Sequence, residues 1–292
     1  MLQLLQIEIY KIFKRPRTYI AFAVITFIIL LIQVGLKYNG EEYAGLLMSG
    51  VSLNFEVPTH QVLNGYLVCY IVLNLLLIHV PILVALIAGD MISGEANMGT
   101  LRLLVSKPVT RTQLLLIKFT AASLYTILLL IWVAILSLFV SILLFGTNDL
   151  FIARETSSNI IASSDIIWRY GAAFIFAAIG LVTVASLAFM LSVFADNSIG
   201  PVVATVCVII IFTILTQMQI PFYDDTVKPY LFTTHMLGWK GFFYVKGKDG
   251  VTVDGSIENF SAILKSGLIL LAYAATFLFV AIWHFRKKNI LS

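Results

Sequence analysis

Polar side chains inside apolar stretches are the first candidates for chemistry in this sequence. The apolar run 62–88 contains Asn74 and His79, with Pro81 close behind. His79 lies ten residues before Gly89, which would place it about 15 Å along a helix and near the middle of a bilayer. Asn74 and an ionisable His79 at that depth are candidate contacts for a substrate or a proton in a cavity. The alternative is a neutral histidine bonded to a carbonyl that Pro81 leaves free.

Residues for enzyme catalysis or metal binding show no recognisable arrangement. The sequence contains no G-x-x-x-x-G-K-[ST] phosphate loop, and no Ser-His-Asp or Cys-His arrangement can be argued from it. Its two cysteines, Cys69 and Cys207, both lie inside apolar runs, which is typical of buried thiols. No second histidine or carboxylate is placed to bind a metal together with His79. We expect no enzyme chemistry and no metal site in this chain.

The composition indicates a membrane protein. Hydrophobic residues make up 60% of the 292 residues and charged residues only 12%. A soluble domain carries about 25% charged residues, so lipid is the expected solvent. No cleavable signal peptide is expected, because residues 1–17 are rich in charge and no small-residue cleavage site follows the next apolar run.

Six continuous apolar runs are each long enough to cross a bilayer, which takes about 20 helical residues. Runs of this kind predict helices, since barrel strands would be half as long and would alternate. We predict an all-α integral membrane protein with one six-span domain over 18–292. The fourth run is rich in Gly, Ala and Ser, which favours packing inside the subunit or at a dimer seam. The runs cover 18–36, 62–88, 112–145, 166–194, 199–219 and 263–284.

The segment before the first run, residues 1–17, is predicted to form an amphipathic helix. Its apolar face consists of Leu2, Leu5, Ile9, Ile12 and Phe13, and its basic face of Lys11, Lys14 and Arg15. Pro16 ends this helix and the first run begins two residues later, so we expect it to lie in the membrane interface. Packing on another protein surface is the alternative.

The distribution of charge predicts the orientation. An even number of spans puts both termini on one side, and that side would carry eleven basic and four acidic residues, a net charge of +7. The other side would carry eight basic and eleven acidic residues, a net charge of −3. Basic residues concentrate in cytoplasmic loops, so both termini and the stretch 89–113 are predicted to be cytoplasmic.

Two segments on the predicted outer side are long, 37–61 and 220–262. The second contains the aromatic run 229–244, which is expected at the outer interface, where Trp and Tyr settle. Residues 244–255 predict a short hairpin with a glycine turn.

The stretch 89–113, "GDMISGEANMGTLRLLVSKPVTRTQ", is a polar interruption between two spans. Gly94 and Gly99 permit tight turns. Residues 100–106 can form about two turns of an amphipathic helix, which Pro108 would stop. The stretch therefore predicts a compact elbow with a short helix between the second and third spans.

Capping residues are predicted before two of the spans that begin on the cytoplasmic side. Thr110 has Gln113 three residues on, which is the pattern of a capping box for the third span. Asp196 or Asn197 is predicted to cap the fifth span, with Gly200 and Pro201 in its first turn.

The elbow resembles the signature loop of the type-2 ABC exporter permeases. The resemblance covers some thirty residues, and outside them it extends only to the architecture of the family. The matching features are a glycine–glutamate pair, a glycine–threonine pair, a leucine-rich short helix, a proline, an arginine and a lysine before a long span. They are Gly94, Glu95, Gly99, Thr100, Leu101, Arg102, Leu104, Pro108, Arg111 and Lys118.

The resemblance implies that the short helix is a coupling helix, which docks into a groove on a separate ATP-binding subunit. ATP and Mg²⁺ would then bind to that partner, and this chain would bind no cofactor. The family assembles two permease chains, identical or different, with two ATPase chains in a bacterial inner membrane. The resemblance also makes His235 and Trp239 candidates for an outer gate, with interfacial anchoring as the alternative. It implies no particular substrate.

Three other interpretations remain open from the sequence. The elbow could be a plain loop whose charges are solvated. The chain could be a secondary transporter or channel, although it has no inverted repeat and few intramembrane charges for ion coupling. It could also be a non-transporting anchor or sensor that recruits an ATPase.

Overall fold

The fold is a bundle of long apolar helices. The computed structural model describes residues 2–49, 63–101, 109–153, 158–218, 223, 226–248, 251–253 and 255–288. Within these ranges, six helices are long and apolar enough to cross a membrane, which confirms the predicted number. The chain is a multi-pass helical membrane protein. The six spans are Pro16–Gly40, Gly65–Ala88, Arg111–Phe145, Ser163–Phe194, Ile199–Gln217 and Phe260–Lys287.

The described elements are mostly helical. In chain order the α-helices are α1 Leu2–Lys14, α2 Pro16–Ser49, α3 Gly65–Ala88, α4 Ser93–Asn97, α5 Arg111–Ala134, α6 Ser141–Phe145, α7 Ser163–Phe194, α8 Ile199–Gln217, α9 Phe232–Met236 and α10 Phe260–Lys287. A π-helical stretch, Ile135–Val140, joins α5 to α6, and 3-10 helices lie at Lys228–Tyr230 and Leu237–Phe243. Two antiparallel hairpins pair β1 Leu150–Ala153 with β2 Ser158–Ile161, and β3 Gly247–Lys248 with β4 Val251–Thr252.

The fourth span, α7, lies at the centre of the bundle. It packs against α3, α5, α8 and α10. Its most apolar stretch is 56% buried, against 22% for the first and fifth spans and 17% for the sixth. Buried small residues such as Ala173, Ala185 and Ala188 let the neighbouring backbones approach closely. The predicted packing of this span inside the subunit is the arrangement observed.

The first and third spans depart from simple helices. α2 continues to Ser49, beyond its predicted end at residue 36, with a break in helical geometry at Asn39 (φ −119°, ψ 15°). The third span contains the π-helical stretch, where the Nε2 group of buried Gln33 donates to the Leu136 carbonyl and to Ser141 Oγ, each at 2.9 Å. Gln33 thus supplies polar partners where the bonding pattern of the third span changes.

Each end of the bundle has its own structure. At the elbow end lie α1, residues 89–101, the turn 195–198 and the last residues of α10. At the loop end lie both hairpins and residues 226–248. The hairpin at 247–252 confirms the sequence prediction, whereas the hairpin between the third and fourth spans was not predicted.

A buried arginine connects the fourth span to the segments at the loop end. Arg169 of α7 is fully buried and pairs with Asp165. Its guanidinium also donates to the carbonyls of Phe242 at 2.6 Å and Ser256 at 2.9 Å. These bonds hold the segment that crosses the loop end against the fourth span.

Candidate functional site

The elbow between the second and third spans is a compact turn. α3 ends at Ala88 with Gly89 as its C-cap, and the short helix α4 follows at Ser93–Asn97. Gly99 has a φ of +71°, a conformation that L-residues other than glycine rarely adopt. The hydroxyl of Thr100 then donates to the Glu95 carbonyl at 3.3 Å, and Leu101 is buried. Arg102, Leu104 and Pro108 lie outside the described residues, as does most of the predicted short helix.

Gly94 makes room for a charged side chain inside the elbow. A Cβ atom at this position would lie 2.5 Å from Asp90 Oδ1. Asp90 is almost fully buried and pairs with Arg15, which lies between α1 and α2, and with Arg17 in the first turn of α2. Gly94 is therefore required for close packing, because it lets the Asp90 carboxylate connect the elbow to the first span.

Four charged residues form a second connection, which we call the ion cluster: Glu8, Lys11, Glu95 and Lys118. Glu95 Oε1 lies 2.8 Å from Lys118 Nζ and 3.1 Å from Lys11 Nζ. Glu8 also pairs with both lysines, at 2.7 Å each. The side chains of Glu8, Glu95 and Lys118 are 7%, 5% and 1% exposed. Two acids and two bases balance, so the cluster places α1, the elbow and the third span in one charge-neutral contact.

Both groups of the ion cluster that belong to α1 remain charged. Burial opposes ionisation of Glu8, but Lys118 and Lys11 outweigh it and hold the pKa of the carboxyl below its ordinary value. Burial likewise opposes charge on Lys11, but Glu8 and Glu95 outweigh it and raise the pKa of the ammonium. Glu8 and Lys11 therefore form an ion pair under neutral conditions.

A serine of the fourth span completes the backbone hydrogen bonds of the elbow. Ser192 Oγ accepts from the backbone N–H groups of Ile92 at 3.1 Å and Ser93 at 2.9 Å. The start of a helix leaves such groups without intrahelical partners. Ser192 therefore attaches α4 to α7, and nothing in the local sequence around it predicts this role.

Arg111 lies on the far flank of the elbow and contacts the end of the last helix. Its Nη1 group donates to the carbonyls of Arg286 at 3.2 Å and Lys288 at 2.8 Å. A cation is stabilised by the exposed carbonyls at the C-terminus of a helix. Thr110 and Gln113 form the predicted capping box in front of it, which is confirmed.

The turn before the fifth span contacts the same region. Lys288 Nζ pairs with Asp196 at 2.9 Å. The N-cap of α8 is Ser198, not the predicted Asp196 or Asn197, and it makes no side-chain capping bond. The side chain of Asn197, one residue earlier, accepts from the N–H of Gly200 at 2.9 Å.

The face of α1 that was predicted to lie in the membrane interface packs partly against the bundle. Ile12 is buried and Glu8 points inward, while Leu2 and Tyr10 are 77% and 64% exposed. Lys11, assigned to the basic outer face, turns to the ion cluster instead. The helix thus has one face on the third span and a second, partly apolar face turned away from the bundle.

The polar residues of the second span bond to their own helix. Asn74 Nδ2 donates to the Tyr70 carbonyl at 2.9 Å, and His79 Nδ1 donates to the Leu75 carbonyl at 2.8 Å. His79 therefore bonds to the carbonyl four residues before it. The carbonyl that Pro81 leaves without a donor is that of Leu77, so the bond expected in the alternative interpretation is not the one observed. His79 is exposed on the outer surface of the bundle, so the structure does not bring it together with the elbow.

His235 and Trp239 occupy different environments at the loop end. His235 contacts Ser266 Oγ at 3.2 Å and the Pro229 carbonyl at 2.8 Å. Trp239 is buried, with its ring centroid 5.4 Å from that of Tyr70. Among the described residues, no three His, Cys, Asp or Glu side chains gather as they would around a metal ion.

Comparison with known proteins yields a family and a relative. The chain is 27% identical over 213 residues to "Uncharacterized protein YhcI" of Bacillus subtilis (strain 168). The match covers 70% of this chain and 63% of that relative. Residues 26–291, which include five complete spans and the elbow, match the family described as "Protein of unknown function (DUF2705)". The chain belongs to this family.

Proposed function

We propose that this chain is the membrane-spanning subunit of an ATP-driven ABC exporter. Its six spans would form part of a translocation path, and a separate ATP-binding subunit would bind ATP and Mg²⁺. The observation that carries the proposal is the ion cluster, which fixes the elbow to the N-terminal helix and to the third span. The resemblance of the elbow to the signature loop of exporter permeases supports it independently.

The contacts of the elbow make it suited to transmit a force. Asp90 connects it to the first span through Arg17, Glu95 connects it to the third, and Ser192 to the fourth. A displacement of α4 would therefore move several helices together, because breaking a buried ion pair costs about 3–5 kcal/mol. ATP binding can drive such a movement only if it favours one arrangement of the membrane helices over the other.

The proposed assembly has two membrane chains and two ATPase chains, since symmetric pairing is common among oligomers. The second membrane chain would be identical or related to this one. The charge distribution supports an orientation with both termini and the elbow in the cytoplasm, and the resemblance to exporter permeases implies a bacterial inner membrane. The ATPase would then reach the elbow from the side where ATP is present.

Affinity purification from native membranes in a mild detergent tests this function. We expect a P-loop ATPase to co-purify with the tagged wild-type chain and to be lost when residues 95–106 are replaced by a Gly/Ser linker. The matched control replaces residues 247–252 of the loop-end hairpin and should retain the ATPase. A chain that purifies alone and shows no response to ATP would contradict the proposal and favour a secondary transporter.

Transport must be measured separately, because a membrane anchor or sensor would also retain an ATPase. Proteoliposomes containing the purified complex should accumulate or release an amphipathic substrate only with ATP. ATP hydrolysis that no substrate stimulates, with no movement of any substrate, would support the anchor or sensor function instead.

A further inference from the structure

The bundle contains an apolar cavity that is separate from the elbow. Its volume is about 60 Å³. Three spans form its wall, with Leu77 and Val80 from α3, Leu130 from α5 and Ala177 from α7. Met236 and Trp239 form its roof at the loop end. The lining is predominantly apolar, and the residues that form it include none from the fifth and sixth spans.

The position of the cavity places it at the depth of lipid chains. Its α3 residues run from Leu73 to Pro81, which corresponds to about 12–24 Å from the start of that helix at Gly65. Leu77, Ala177 and Met236 remain partly exposed. These residues mark an opening on the side of the bundle, where the surrounding medium is hydrocarbon.

Water is a poor occupant for this cavity. A water molecule needs roughly 10–15 Å³ of cavity volume and two to four hydrogen-bonding partners. The cavity is large enough, but its predominantly apolar lining does not supply that number of partners. An empty cavity would forfeit dispersion contacts along its wall. The end of a hydrocarbon chain inside the cavity would restore those contacts.

A basic residue follows the roof in the chain. Lys240 comes directly after Trp239, so its Cα atom lies about 3.8 Å from that of Trp239. Its side chain is half-buried, and burial lowers the pKa of its ammonium. Among the described residues, no carboxylate forms an ion pair with it. A half-buried ammonium without an acidic partner favours a negatively charged group nearby.

We propose that the cavity is a lipid site, which holds the acyl chain of an anionic membrane phospholipid with its headgroup near Lys240. Binding of the acyl chain gains no hydrophobic free energy, because the chain is already in an apolar medium before it enters the cavity. Packing in the cavity and charge complementarity at Lys240 together select the lipid. This site requires only the membrane and does not depend on coupling to an ATPase.

Photo-crosslinking in nanodiscs tests the site on the full chain. The probe is phosphatidylglycerol with a diazirine at the end of one acyl chain, and phosphatidylcholine with the same tail is the comparison. We expect the label on residues 73–81 and 173–181, with roughly fivefold more labelling by the anionic lipid, the scale of one partly exposed ion pair. Unlabelled phosphatidylglycerol should compete for it.

Two variants test the contact with the acyl chain and the contact with the lipid headgroup separately. Ala177→Phe fills the opening and should reduce labelling of both segments to background, and Ala177→Leu serves if the larger side chain prevents folding. Lys240→Gln should abolish the preference for the anionic lipid. The controls are Ala275→Phe and Lys265→Gln, which change exposed positions of α10 outside the cavity.

Labelling spread evenly over all spans, or unchanged in both Ala177 variants, would overturn the site. Equal labelling by the two lipids in the wild-type chain would overturn the assignment of an anionic headgroup. Neither outcome bears on the proposed exporter function, which the co-purified ATPase tests.

Discussion

The Nζ atom of Lys118 lies 2.8 Å from Glu95 Oε1 and 2.7 Å from Glu8 Oε2, so one buried ammonium joins the elbow to the N-terminal helix. The three residues come from separate parts of the chain, and Lys118 itself is 1% exposed. The elbow is therefore held by charge as well as by its covalent connection to the spans.

Replacing Lys118 should strongly destabilise the protein. Lys118→Met leaves Glu8 and Glu95 buried with only Lys11 to pair them, and removing one member of a buried ion pair costs about 3–5 kcal/mol. The free energy of unfolding in mixed micelles measures the loss. Lys265→Met, at an exposed position, should change it by less than about 0.5 kcal/mol. Equal stability of the two variants would show that the ion cluster contributes little.

The stabilising effect of Glu8 should depend on pH. Its folded pKa lies below the ordinary value of 4.5, so its contribution is present above that value and is lost as pH falls through the folded pKa. The difference in stability between wild type and Glu8→Gln should therefore shrink on acidification. A difference that stays constant from neutral to acid conditions would contradict the ion pairing of Glu8.

Lys11 titrates at the opposite end of the pH range. Its folded pKa lies above the ordinary value of 10.5, so its contribution is complete below that value and is lost as pH rises through the folded pKa. The stability difference between wild type and Lys11→Met should persist through neutral pH and vanish only in strong alkali. A decline near neutral pH would show that Lys11 is not paired as described.

Gly94 should not tolerate even a methyl group. Gly94→Ala would put Cβ 2.5 Å from the Asp90 carboxylate, and such overpacking costs about 1–3 kcal/mol. Gly171 is the matched control, because a Cβ atom there meets nothing within 4 Å and Ala favours the helix by up to about 1 kcal/mol. The unfolding free energies of the two variants should change in opposite directions, and a stable Gly94→Ala protein would refute the packing argument.

Arg169 should stabilise the loop end without affecting the stability of the elbow. Arg169→Met removes the bonds to the Phe242 and Ser256 carbonyls and leaves Asp165 without its cation. Hydrogen exchange should accelerate across residues 237–248 while the elbow keeps its protection. Exchange that is unchanged at the loop end would contradict this attachment.

Local sequence patterns predicted the features that depend on neighbouring residues. The six spans follow from continuous apolar runs, the capping box from Thr110 and Gln113, and the 247–252 hairpin from its glycine-rich turn. Each of these features is specified within a few turns of chain, so its physical cause is visible in the sequence.

The contacts that assemble the site could not be predicted in the same way. Glu8 and Lys118 are 110 positions apart, and helical periodicity gives no information on which distant side chain a charge will meet. It placed Lys11 on a basic outer face, although two carboxylates draw it inward. Ser192 is one of several small polar residues in its helix, and only the tertiary packing distinguishes it.

Elbow variants should separate coupling from folding. Arg102→Ala is predicted to reduce ATP hydrolysis by the complex while membrane insertion stays normal, and Glu95→Ala should do the same with an added loss of stability from the ion cluster. Wild-type hydrolysis and transport in both variants would argue against a coupling role for the elbow.

The most direct test of the central claim is contact between the elbow and an ATPase in native membranes. A photo-reactive amino acid at position 102 should crosslink to a protein that mass spectrometry identifies as a P-loop ATPase, and the same group at position 246 of the loop end should not. Crosslinking only to lipid or to other copies of this chain at position 102 would contradict the proposed coupling.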